Sequence, residues 1–175
     1  MFSITIGSYG LHCADELPVI YHEYCKHAQL VDEFNIRSND EDGLCFVAIE
    51  RDNGWPFLVV TQRYHPSGSG FYPGVALVPE TDIAFIGAGT RLLAYQLKSP
   101  QRLWEDITDG FWGWKRHGDF IVMSSELEMA VWNIYGEKLW SKFVEPPWNY
   151  EVSGNTVRLD VMGTISSFSI GLGPS

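Results

Sequence analysis

The chain has 175 residues, 45% hydrophobic, 14% aromatic and 19% charged, with a formal net charge of −10. That composition belongs to a folded globular domain rather than a disordered one, and the charge argues against nucleic acid and anionic membrane as partners, since both require clustered Lys and Arg. Three cysteines without C-x-x-C spacing give no disulfide framework, and no segment reaches the roughly 18 uninterrupted apolar residues of a membrane span; the expectation is a single cytoplasmic domain over 1–175.

Taken in chain order, residues 2–7 alternate as a strand. Residues 18–25 also read as a strand, although Leu17, Ile20, Tyr21, Tyr24 and Ala28 recur at helical spacing and leave a helix within 14–32 as the alternative. Segments 43–51, 57–61 and 74–78 are β-branched or apolar runs bounded by Gly, Pro, Asn or Asp, as strands are. Segments 31–43, rich in acidic residues, and 65–73, rich in Pro and Gly, read as loops.

From residue 82 onward short strands alternate with glycine turns, and this half repeats itself. Residues 84–119 align without a gap on 120–155: Trp104 falls on Trp140, Trp112 on Trp148, Ala94 on Ala130 and Gly118 on Gly154. A truncated third copy spans 156–171, with Val157 on Ile121, Phe168 on Trp132 and Ile170 on Ile134. A fixed period of this length marks one supersecondary unit used repeatedly, each copy burying its neighbour's open face. The incomplete third copy leaves a sheet edge, and residues 2–7 are a candidate to cover it.

The expected fold is therefore all-β, made of antiparallel blade-like sheets in a partial-propeller or sandwich arrangement, with α+β as the alternative if 14–32 is helical. The phrases Phe85-Ile86-Gly87-Ala88-Gly89-Thr90-Arg91-Leu92-Leu93-Ala94-Tyr95 and Trp132-Asn133-Ile134-Tyr135-Gly136-Glu137-Lys138-Leu139-Trp140 resemble blades of quinoprotein-type β-propellers. The resemblance covers 83–171 and departs from the pattern at Ser99-Pro100-Gln101, where the turn glycine is missing. It implies blade-like packing and no enzyme activity. The whole chain also resembles a small bacterial family, a likeness that implies no function.

For function, the aromatic set is the first candidate. The offset superposes Trp112 on Trp148 and Trp114 on Tyr150, and aromatics at i and i+2 of a strand share a face. With Asp109 and Glu145 nearby they could form a ligand-binding platform; the competing role is packing between sheets, which repetition favours. His12, Cys13, His22, Cys25 and His27 fit no metal-finger spacing, the acidic groups 32–33 and 40–42 fit no calcium loop, and neither nucleophile elbow nor phosphate loop occurs. No catalytic residue, metal or cofactor is assigned. The expected role is a non-enzymatic binding or assembly domain for a protein or small ligand, including homo-oligomerisation through an edge strand. The alternative is a carbohydrate-active or other small-molecule-processing module using the same aromatics.

Overall fold

A computed structural model describes residues 1–35, 43–65 and 72–174. The first sheet contains β1 (Phe2–Ile6), β2 (Tyr9–Ala14), β3 (Leu30–Phe34), β4 (Gly43–Arg51) and β5 (Leu58–Tyr64), in the order β1-β2-β4-β5-β3 with β3 parallel to β5. The helix α1 (Tyr21–His27) lies between β2 and β3 in sequence. The second sheet is a meander of β6 (Gly74–Val78), β7 (Ile83–Ala88), β8 (Arg91–Gln96) and β9 (Gln101–Ile107). The third repeats it with β10 (Phe111–His117), β11 (Phe120–Ser125), β12 (Glu128–Asn133) and β13 (Lys138–Phe143). The fourth has β14 (Trp148–Ser153), β15 (Thr156–Val161) and β16 (Thr164–Ser169). The fold is all-β, and the three meanders are blade-like antiparallel sheets.

The sheets stack in chain order, and each gap between them is an apolar cluster. Tyr9, Val47, Ile49 and Val60 meet Ile86, Leu93 and Tyr95 between the first and second sheets. Phe85 and Leu92 meet Phe111, Met123 and Trp132 between the second and third. Val122, Met129 and Val131 meet Trp148, Val157 and Leu159 between the third and fourth. The strands that face neighbours on both sides, such as Ile83–Ala88, are buried along their whole length and so read as continuous apolar runs rather than alternating ones.

The 36-residue offset carries β7 to β10 onto β11 to β14 without a break, so each unit begins inside one sheet and ends as the first strand of the next. The units are thereby joined by backbone hydrogen bonds as well as by packing. Tryptophan supplies a second lock. The Trp104 indole N–H on β9 donates to the Gly136 carbonyl in the next sheet at 2.6 Å, and its ring stacks on Trp132 at 5.4 Å. Trp140 on β13 repeats this, donating to the Ile170 carbonyl at 2.6 Å and meeting Phe168 edge-on at 5.5 Å. Gly136 and Gly173, in the receiving turns, have φ of +86° and +78°, and a Cβ on Gly173 would stand 2.7 Å from the Trp140 ring.

Three segments differ from the sequence expectation. Residues 18–25 are not a strand: Tyr21 and Tyr24 lie three apart in α1 and both pack on Phe46, at 6.0 and 6.1 Å between ring centroids. The outer face of β4 and β5, with Leu44, Phe46, Ala48 and Val59, is apolar and needs this cover. The reading of 31–43 as a loop is also corrected, because residues 31–34 lie in β3, where Asp32 accepts a hydrogen bond from Tyr95 at 2.9 Å and faces Arg102 at 3.4 Å. Residues 36–42, and 66–71 of the 65–73 loop, lie outside the described residues. Finally, β1 does not cover the fourth sheet; it pairs with β2 along its full length. A two-residue turn closes that hairpin at far less entropic cost than pairing with a strand at the other end of the chain. Beyond β16, Gly173 forms an isolated bridge with Ser169.

Candidate functional site

The aromatic set is divided between two gaps. In β10 the register runs Phe111 to Ser125 and then Gly113 to Ser124, so Trp112 is the extra residue of a β-bulge. It turns to the fourth sheet and stacks on Trp148 at 5.4 Å with rings 14° from parallel. Trp114, back in regular register, turns to the second sheet and packs on Phe85, Phe111 and Trp132 at 5.4 to 5.5 Å. The expectation that positions i and i+2 share a face therefore holds for Trp148 and Tyr150, whose rings lie 6.3 Å apart, and is corrected for Trp112 and Trp114.

Trp148 keeps 9% of its surface exposed and donates its indole N–H to the Glu126 carbonyl at 3.3 Å. Trp112, Trp114 and Tyr150 are half-buried, while Asp109 and Glu145 are exposed at equivalent positions ahead of β10 and β14. Burial pushes the Tyr150 hydroxyl up to about 12, against the hydrogen bond from Ser124.

A second feature is concave. β1 continues the first sheet beyond β2, so that the apolar side chains Phe2 and Ile4 face the same way as Cys13 and Leu11, their partners in register. With Tyr64 and Val75 these residues line an open groove of about 1220 Å³. Phe2 is 62% and Ile4 48% exposed, high values for large apolar groups. Asp15 and Glu16 also line it.

Chemistry in this groove is muted. Burial pushes the Cys13 thiol up to about 11 and the Cys45 thiol up to about 12, the neighbouring Cys13 adding to the latter. Since the thiolate is the nucleophile and the soft-metal ligand, both groups are held in their unreactive form. Burial also raises Tyr64. Of the early potential metal ligands, His12 bonds Ser3 at 2.7 Å and faces Glu50 at 3.3 Å, and His27 stacks on Trp55 at 4.4 Å. No three His, Cys, Asp or Glu side chains gather as metal ligands among the described residues.

The groove escaped the sequence reading because its walls come from β1, β2, β4, β5 and β6, brought together only by the order of strands. The local signal was the alternation of Phe2-Ser3-Ile4-Thr5-Ile6 without a charged residue. Among the described residues no helix is long and apolar enough to cross a membrane.

No protein-family model matches the chain, and no curated protein does. Solved structures resemble parts of it. Hsv2 of Kluyveromyces lactis is 12% identical, with a TM-score of 0.33 over 56% of this chain and 32% of its own. BamB from Moraxella catarrhalis is 13% identical, with a TM-score of 0.38 over 74% of this chain and 41% of its own. The WD40 domain of SCAP from fission yeast is 13% identical, with a TM-score of 0.37 over 74% and 36%. The chain thus spans between about a third and two-fifths of the length of these structures.

Proposed function

We propose that the chain is a non-enzymatic binding domain that holds an extended protein segment in the groove beside β1. The observation that carries this is the coincidence of an exposed, uncharged edge strand with an apolar concavity of about 1220 Å³. Such a site is open and larger than the ~300–1,000 Å³ of most small-molecule pockets. Strand addition uses both features: backbone groups of the edge give affinity, and alternate side chains entering the apolar wall give specificity. The muted thiols favour binding over catalysis. The three free cysteines suit a reducing, cytoplasmic setting.

A panel of fluorescent seven-residue peptides with alternating apolar and polar side chains tests this by anisotropy. Peptides with an apolar face should bind at least tenfold more tightly than charge-substituted counterparts, and Phe2→Lys should weaken them about tenfold. Equal affinity for both peptide types would defeat the proposal.

The second role is contact at the aromatic rim. The half-exposed edges of Trp112, Trp114 and Tyr150, with Trp148 behind them and Asp109 and Glu145 at equivalent bends, would grip a polar ligand such as a sugar between ring edges and carboxylates. Binding of oligosaccharides that is lost in Asp109→Asn together with Glu145→Gln, and kept in Phe2→Lys, would favour it over the groove.

A further inference from the structure

The edge of β1 is self-complementary. β1 returns to β2 through the two-residue turn Gly7-Ser8, with Ile6 opposite Tyr9. In a hairpin closed this way the residues flanking the turn exchange both hydrogen bonds. Counting back by twos, Phe2, Ile4 and Ile6 bond to β2, whereas the backbone groups of Ser3 and Thr5 point away from it. Among the described residues no backbone hydrogen bond reaches that outer edge, and β1 stands at the end of its sheet.

Edge strands are normally protected by a charge, a proline or a bulge. β1 has none: its sequence is Phe2-Ser3-Ile4-Thr5-Ile6 and its pairing to β2 is regular through all five positions. The pattern is also palindromic in polarity about Ile4. An antiparallel copy centred there sets Ile4 against Ile4, Phe2 against Ile6, and Ser3 against Thr5. The last pairs are those with outward backbone groups, so both can exchange hydrogen bonds. All apolar side chains then fall on the groove side in both copies, and the hydroxyls on the other.

We propose that the occupant of this edge is a second copy of the chain, the two β1 strands pairing antiparallel into one continuous ten-stranded sheet. This rests on the groove beside β1 being a binding surface and names what it binds. Two molecules each of charge −10 repel, so the dimer forms against long-range electrostatics and salt strengthens it. A basic peptide partner would give the opposite salt dependence. A five-residue edge with an apolar rim belongs to the small, reversible class of interface.

Sedimentation equilibrium of the full chain over a wide concentration range, from about 10 to about 500 μM, tests the pairing, because a small interface is expected to be weak and reversible. The expected result is a monomer–dimer equilibrium that tightens severalfold as salt is raised. Ile4→Lys, which charges the edge, should weaken it at least tenfold. So should Thr5→Pro, which removes an outward N–H and leaves the β1–β2 ladder intact. Should either variant misfold, hydrogen exchange in the native chain decides: the Ser3 and Thr5 amides should gain protection with concentration while the amide of Ile4 does not. A dimer indifferent to both variants, or loosened by salt, overturns the pairing. A monomer at every concentration that still binds the alternating peptides overturns the pairing alone; one that binds none overturns the groove with it.

Discussion

The gap between the second and third sheets and the gap between the third and fourth are two copies of one design, and they are not equally strong. In the first, Trp104 lies nearly parallel to Trp132, whose ring is 1% exposed. In the second, Trp140 meets Phe168 edge-on, and Phe168 is only half-buried. Rim contacts follow the same trend. Arg116 pairs with Glu80 at 3.0 Å and Lys138 with Asp106 at 2.9 Å across the inner gap. Arg158 pairs with Glu151 at 3.8 Å, but both lie within the fourth sheet and do not bridge the outer gap. The cause is position. The third sheet is buried on both faces, whereas among the described residues the fourth packs on the third alone and exposes Thr164 and Ser166 beside Phe168. The repeat therefore keeps its hydrogen-bonding scheme between the two gaps while its packing relaxes in the outer one.

Deleting the equivalent rings should expose this difference most strongly. Trp132→Ala removes a fully buried ring and should cost about 3–5 kcal/mol. Phe168→Ala, at a half-buried position, should cost about 1–2 kcal/mol, the transfer energy of the part removed from water. Urea denaturation of the two variants measures both. Equal losses would mean that the terminal sheet is as tightly held as the inner ones. Trp104→Phe and Trp140→Phe keep an aromatic ring but remove the indole donor together with part of the packed ring surface. Each should cost about 1–2 kcal/mol, the net value of one hydrogen bond plus the packing lost with the smaller ring. If the scheme is transmitted intact, these two losses agree even though the alanine pair does not.

How much of this was legible depends on whether a feature is local. The strands from β7 onward could be read because they repeat without insertion, so each tryptophan of one unit found its counterpart. The faces of those tryptophans could not all be read. The bulge at Trp112 adds a residue to β10 that the partner strand lacks, and sequence spacing in β10 does not reveal it. α1 was ambiguous because a seven-residue helix supplies too few turns for its period to stand out; the apolar outer face of β4 decides it. The groove was invisible for the strongest reason. It depends on residues of β1, β2, β4, β5 and β6 lining one concavity, which is a property of sheet order rather than of any segment.

The outer gap also contains a group that the inner one lacks, and it makes the comparison sensitive to pH. His117 lies edge-on to Tyr150 at 5.9 Å, and its Nε2 is buried without a hydrogen-bond partner. Burial, and secondarily the charge of Lys115, holds its pKa below the ordinary histidine value. A depressed value means that the folded chain takes up the proton less readily than the unfolded chain. Stability is therefore complete above the ordinary value of about 6.5 and declines as pH falls below it toward the folded value. The position 36 residues on is Ser153, and the position 36 residues back is Thr81, so the effect belongs to this gap alone. Melting temperatures measured from pH 8 to 5.5, before carboxylates titrate, should fall in the native chain and fall less in His117→Gln. Because the site is partly open to solvent, the difference should be the smallest of those considered. Parallel slopes for the two proteins would show that the fourth sheet meets the third without an electrostatic cost at His117.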